Sequence, residues 1–172
     1  VIDADLGLST ADPRAGERTF QLLQQVIGRA GRARAGARAL IQTHLPEHPI
    51  IQAIVKGDRE GFYAAEIAMR EEAALPPFGR LAALVVSAEA QADAMAYARM
   101  LVRSVPATEG VRVLGPAEAP LALVRGRHRI RLLVRAPRAF DLSGWMRGWL
   151  SSVEAPRGNV RLEIDVDPQS FL

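Results

Sequence analysis

The chain predicts a mixed α/β and α+β fold: the C-terminal remnant of a parallel α/β lobe, then a βαββαβ domain with a four-stranded sheet. Three observations predict it. The first 45 residues run strand, helix, strand, which is the crossover order of a parallel sheet. A helical stretch then ends in the proline pair of "LPPFG", residues 75–79. Beyond it, four strand-like segments alternate with two helical ones in the split βαβ order, which lays two helices on one face of an antiparallel sheet.

The elements follow in order. "VIDADL" is a short apolar run that predicts a buried strand, and the polar "STADPRAG" a loop. From Glu17 the pattern becomes helical, with Thr19, Leu22, Leu23, Val26, Ile27 and Ala30 on one stripe. "ARALIQTH" predicts a second strand. Two strands leave a parallel sheet largely uncovered, and the opening has no lead-in turn, so a fragment of a larger protein is expected. "HPIIQAIVKG" and "DREGFYAAEIAMREEAA" predict two helices, the second with Phe62, Ile67 and Met69 among its apolar positions. Proline lacks the amide and restrains the residue before it, so "LPPFG" ends the helical region. Next come the strand "RLAALVVSA", the helix "EAQADAMAYARMLVRSV", a short strand with a proline-rich loop in "VRVLGPAEAPLALVRG", and the strand "RHRIRLLVRA". The helix "RAFDLSGWMRGWLSSV" and the alternating strand "NVRLEIDVDP" complete the order. The domains expected are 1–45, the end of the α/β lobe; 46–79, a helical connector; and 80–172, the βαββαβ domain.

Composition narrows the function classes. At 172 residues, 49% hydrophobic and 24% charged, the chain has enough material for a packed core. No apolar run approaches the ~20 residues of a membrane span and no signal segment opens the chain, so a cytoplasmic protein without a membrane partner is expected. The absence of cysteine excludes disulfides, thiolate zinc sites and cysteine nucleophiles within these residues. The three histidines do not cluster at metal-ligand spacing, so no metal site is expected. The net charge is +3 while the pI is about 10.1, because Lys56 is the sole lysine and the other basic residues are arginines. Arginine richness can follow from codon usage, so placement carries more information than number.

Two placements stand out. In "QLLQQVIGRAGRARAG", residues 21–36, a helical wheel puts Gln25, Gly28, Arg29 and Arg32 on one face, with the apolar stripe centred about 120° away. Arginines in a last helical turn interact favourably with the dipole, worth ~0.3–1 kcal/mol, and Gly31 could end the helix. Alternatively, their planar forks suit phosphate oxygens, and an arginine supplied across an interface stabilises charge on a transferring γ-phosphoryl group. Gln25 could contact the same nucleotide. In "VRGRHRIRLLVRA", Arg125, Arg127, Arg129 and Arg131 alternate with His128, Ile130, Leu132 and Val134, so four guanidiniums are expected on one side at ~6.6 Å intervals. Such a row repels itself unless an anion is present, which points to DNA phosphates; a solvated edge strand guarded by charge is the alternative. Trp145 and Trp149, four residues apart, and Phe171 near the terminus are aromatic groups able to stack on bases, although the tryptophan pair reads first as core.

"QVIGRAGR", Gln25 to Arg32, resembles motif VI of superfamily 2 helicases, whose pattern is Q-x-x-G-R-x-G-R. With "DADLGLSTADPRAGERTFQLLQ", "PEHPIIQAI", "LPPFGRLAAL" and the terminal "DVDPQSFL", the whole chain resembles the primosomal protein N′ family of replication-restart DNA helicases. The resemblance implies a C-terminal fragment of an ATP-driven 3′-to-5′ helicase that recognises stalled or abandoned forks and restarts replication by primosome assembly. It implies that residues 1–45 end the second RecA-like lobe and that ATP and Mg²⁺ sit between two lobes. Arg32 would then be the catalytic finger, Arg29 its phosphate or structural partner, and Gln25 and Gly28 part of the nucleotide face. No G-x-x-x-x-G-K-[ST] and no acidic pair in context occur here, so the chain alone should not hydrolyse ATP. The family's zinc lies in a cysteine-rich insertion absent from this sequence. Asp12, Arg14, Glu17 and Arg18 correspond to the region of motif V. Implied partners are branched or forked DNA, the tail of single-strand-binding protein, with Arg138 and Arg147 as candidates, and other primosome proteins. A non-catalytic DNA-structure-binding and tail-docking scaffold is the alternative.

Overall fold

The computed structural model describes residues 1–8, 12, 14–33 and 38–168, with backbone alone at 30–33. Two compact units are present, Val1–Met69 and Arg70–Leu172. The first holds α1 (Ala15–Ala33), α2 (Pro49–Lys56) and most of α3 (Arg59–Glu72). Each short helix has a local start signal. His48 accepts the Ile50 amide through Nδ1 at 3.3 Å just before Pro49, and Asp58 accepts the Gly61 amide at 2.8 Å. Phe20 and Leu23 of α1 pack with Ile50, Ile51 and Ile54 of α2 and Phe62 of α3, and the Phe20 and Phe62 rings stack at 4.0 Å. Ile67 and Met69, expected on the apolar side of α3, are exposed.

The predicted strands at 1–6 and 37–44 do not form. Asp3 takes a left-handed conformation (φ 54°) and residues 4–7 make a 3₁₀ turn, while the described residues 38–43 have no regular structure. Two backbone bonds join the segments, Gln42 N–H to Val1 O at 3.0 Å and Ala4 N–H to Gln42 O at 2.9 Å. A parallel ladder would use the Asp3 amide in that second bond. The Asp5 carboxylate also intervenes, accepting the Thr43 hydroxyl and, at 2.6 Å, the His44 amide.

Those two bonds, the Thr43 hydroxyl first and the His44 amide second, hold the Asp5 carboxyl below its ordinary pKa; His44 and His48 add to the effect. A depressed pKa stabilises the folded form above the ordinary value of about 4 and loses that contribution as pH falls through the folded value. Asp5→Asn is therefore expected to speed hydrogen exchange at the Ala4 and Gln42 amides near neutral pH, and the difference from wild type should shrink as pH falls below about 4, through the depressed value. Identical exchange at neutral pH would show that the carboxylate does not clamp this pair.

The second unit realises the βαββαβ order: β1 (Gly79–Ala88), α4 (Gln91–Arg103), β2 (Arg112–Val124), β3 (Arg127–Pro137), α5 (Leu142–Ser151) and β4 (Arg161–Val166). The antiparallel sheet has the order β2-β3-β1-β4. Even-numbered positions of β1 and β3, from Ala82 to Ala88 and from Ile130 to Ala136, face the helices. They meet Ala94, Ala98 and Leu101 of α4 and Leu142, Met146 and Trp149 of α5. Trp149 is fully buried and its indole N–H donates to Ser104 Oγ at 3.0 Å; Trp145 donates to Thr108 Oγ1 at 2.9 Å. The Trp pair is thus core. In place of the expected short strand and loop at 111–126, β2 is one long strand interrupted between Leu114 and Ala117 and between Glu118 and Leu123.

On the other sheet face, one half is covered by the turn at 73–78. Leu75 packs with Leu81, Ala83 and Leu133, and Arg135 donates to Ala73 O. Phe78 and Gly79 amides both donate to Leu75 O. A Cβ on Gly79 would lie 2.1 Å from Ala74 O, so this close backbone approach requires glycine. Because this turn belongs to the sheet, the compact units divide nine residues before β1 starts. The "DVDP" end of β4 is also tied to β1: Asp167 accepts Arg80 Nε at 2.8 Å and the Leu81 amide at 3.1 Å, and its own amide donates to Leu81 O.

Candidate functional site

In α1 the buried residues are Thr19, Phe20 and Leu23, with Ile27 half-buried, whereas Leu22 and Val26 are exposed. The stripe is therefore centred about 180° from Gln25 on a 100° wheel, further round than the 120° expected. Phe20, outside the predicted stripe, shifts it by stacking on Phe62. Gln25, Gly28 and Arg29 consequently point directly away from the core and are exposed, and a Cβ at Gly28 would meet nothing within 4 Å. Arg32 continues the helix backbone, and its side chain lies outside the described residues, as does Phe171.

At the start of α1, Asp12 is buried. Its Oδ1 accepts the Arg14 amide at 2.9 Å and its Oδ2 the Arg18 guanidinium at 3.0 Å. Its carbonyl accepts the Ala15 amide. These bonds organise the helix N-terminus, a structural use of two residues placed near motif V.

The uncovered half of the sheet carries the arginines, with one correction. Arg125 is not in the strand. Arg125 and Gly126 form the two-residue turn between β2 and β3, with φ of 50° and 74°, the left-handed pair that matches strand twist in a tight hairpin. Arg127, Arg129 and Arg131 do alternate on β3, opposite the helix face. Arg125 nevertheless returns from the turn to line a cleft with Ser87, Val124, Arg127, Arg129, Arg161 and Glu163, about 340 Å³ in volume. Four guanidiniums and one carboxylate make the cleft strongly positive. Among the described residues, no carboxylate lies within ion-pair distance of Arg125, Arg129 or Arg161.

Arg127 has a different role from its neighbours. Its Nε donates to Ser87 Oγ at 3.3 Å, and its Nη2 donates to Ser87 O at 2.9 Å and to Asn159 O. It thereby ties β3 to β1 and to the segment leading into β4. Arg131 is half-buried beside Val85, one row deeper. Arg161, Ser87 and Glu163 were not legible as site residues. The alternation of "VRLEIDV" sets Arg161 and Glu163 on one face, but only the strand order places them beside Arg129 across β1.

A larger groove, about 600 Å³, runs between α4 and residues 154–160. Burial, and secondarily Glu154, push the Tyr97 phenol pKa up, and its hydroxyl donates to Glu154 O at 2.9 Å. None of the predicted site residues lines this groove. Among the described residues no group of three or more His, Cys, Asp or Glu side chains is placed to hold a metal ion.

Comparison with known proteins gives concordant matches. The family described as the primosomal protein N C-terminal domain matches residues 71–169. The replication restart protein PriA of Rickettsia conorii is 40% identical over 99% of this chain and 26% of its own length. That of Treponema pallidum is 42% identical over 98% of the chain and 26% of its length, and that of Bacillus subtilis 36% identical over the whole chain and 22% of its length. The chain spans about a quarter of the length of these curated relatives.

Proposed function

The chain belongs to the primosomal protein N C-terminal domain family, and on that premise we propose that it is the C-terminal part of an ATP-dependent 3′-to-5′ DNA helicase. The complete protein recognises stalled or abandoned replication forks and restarts replication by primosome assembly. The observation that carries the DNA-binding half of this reading is the arginine cleft on the open sheet face. Guanidiniums without carboxylate partners favour an anion, and a planar fork matches phosphate oxygens.

The ATPase half rests on the solvent-facing Gln25, Gly28 and Arg29 and on Arg32 one turn further along α1. ATP with Mg²⁺ supplies the γ-phosphoryl centre on which charge grows during transfer. Arg32 stabilises that charge from across the interface, Arg29 holds phosphate or braces the helix end, and Gln25 contacts the nucleotide. Gly28 keeps the approach clear. The chain by itself hydrolyses no ATP, since it lacks a phosphate-cradling loop.

Forked DNA, the tail of single-strand-binding protein and other primosome proteins are the partners, in the cytoplasm. Arg138 and Arg147, both exposed, are candidates for the tail. Among the described residues no helix is long and apolar enough to cross a membrane. The non-catalytic scaffold reading draws on the same cleft, which lies wholly within the Arg70–Leu172 unit.

The test is fork binding by fluorescence anisotropy across a salt series, using the 172-residue chain. Arg125→Gln with Arg129→Gln should weaken binding by ten-fold or more, and flatten the log–log salt slope by roughly 0.9, the contribution of one phosphate no longer neutralised. Equal binding by wild type and double variant would remove the cleft from the DNA interface.

A further inference from the structure

We infer that the cleft is a seat for a single phosphodiester that reads the nucleic-acid backbone and ignores the bases, with Arg125, Arg129 and Arg161 as the contacts and Glu163 as the group that limits its affinity. The inference rests on the DNA-binding reading above and assigns its contacts.

The geometry begins with one row of the sheet. Ser87 on β1 is paired with Arg129 on β3 and with Arg161 on β4, so the two arginines flank a small, buried residue on the same face. Two strand spacings put their backbones ~10 Å apart, with the serine as the low floor between long side chains. Arg125 approaches from the hairpin turn. Arg127 forms part of the wall, but its Nε and Nη2 donors are directed to Ser87 and Asn159, which ties the side chain down and leaves it to contribute mainly charge.

Two features select the ligand. A volume of about 340 Å³ is at the small end of ligand sites, which suits one phosphate-centred unit. The lining contains no aromatic side chain and only one apolar one, Val124. Base recognition in single strands relies on stacking platforms, and this cleft offers none. Glu163 lies in the next row, paired with Val85 and therefore beside the arginines. Its carboxylate repels a phosphate while lowering the repulsion among the guanidiniums in the empty cleft.

The experiment uses the 172-residue chain with two labelled single strands of equal length, one of thymidines and one whose sugars carry no bases, each titrated over a salt series. Wild type should bind both strands within about three-fold of each other. Arg161→Gln, at an exposed position on an edge strand, should weaken both by about ten-fold and flatten the slope by roughly 0.7, the single-strand value per phosphate. Glu163→Gln should tighten both and leave the slope unchanged. An Arg161→Gln protein equal to wild type, while Arg125→Gln with Arg129→Gln is still weakened, would overturn the seat but spare the broader interface. Binding confined to the thymidine strand would overturn base independence. Failure of wild type to bind either strand, or the fork, would bring down the DNA-binding reading itself.

Discussion

Replacing Arg32 with alanine in the complete protein should lower DNA-stimulated ATP turnover by ~10³-fold or more, within the range lost when an arginine finger is removed. The chain presents α1 so that Gln25, Gly28 and Arg29 face solvent, opposite the packed Phe20 and Leu23. Arg32 follows three residues after Arg29 on that helix, which returns it to the same side at about 20° from Gln25. Arg32→Lys keeps the charge without the fork and should recover only part of the loss. If the two arginines serve only the helix dipole, turnover is unchanged and the alanine variant costs ~0.3–1 kcal/mol of stability. Steady-state hydrolysis with saturating DNA separates the outcomes, and unchanged turnover removes the finger assignment. Loss of restart alongside turnover would also count against a purely scaffolding role.

Trp149→Ala should be the most damaging single change to the sheet unit. The indole is 1% exposed, lies among β1, β3, α4 and α5 side chains, and donates to Ser104 Oγ. Truncation leaves a large cavity and a hydroxyl without its donor, for an expected loss of ~3–5 kcal/mol. That is a large fraction of the ~5–15 kcal/mol that typically holds a domain together. Trp149→Phe retains most of the ring and should cost less, chiefly the hydrogen bond and part of the volume. Urea unfolding followed by Trp145 fluorescence measures both. A midpoint shift equivalent to less than about 1 kcal/mol for the alanine variant would contradict the packing described.

The order of elements beyond residue 79 was legible because the continuous apolar run of β1, the alternation of β3 and the apolar spacing in α4 and α5 agree with the final burial. The first 45 residues were less so. The segments 1–6 and 37–44 have strand composition, but Asp3 in a left-handed conformation and the Asp5 bonds to Thr43 and His44 divert the ladder. Neither effect has a hydropathy signal. The arginine row was legible as a pattern on β3 and misread at Arg125, where the turn needs positive φ on two consecutive residues and only the second is glycine. The cleft itself depends on β4 lying beside β1, a long-range pairing invisible to local spacing. Nor does spacing distinguish Arg127, which braces Ser87 and Asn159, from Arg129, which is bonded to neither.

The alternation along β3 has an architectural consequence. Its even positions Ile130, Leu132 and Val134 are wholly buried, and four of its six odd positions carry arginine. The buried core and the arginine row thus share one strand in opposite parity. Arg129, bonded to neither Ser87 nor Asn159, can change without disturbing the interior, whereas a slip of one residue exchanges the two faces together. The strand can revise its arginine face by substitution, but not by insertion or deletion.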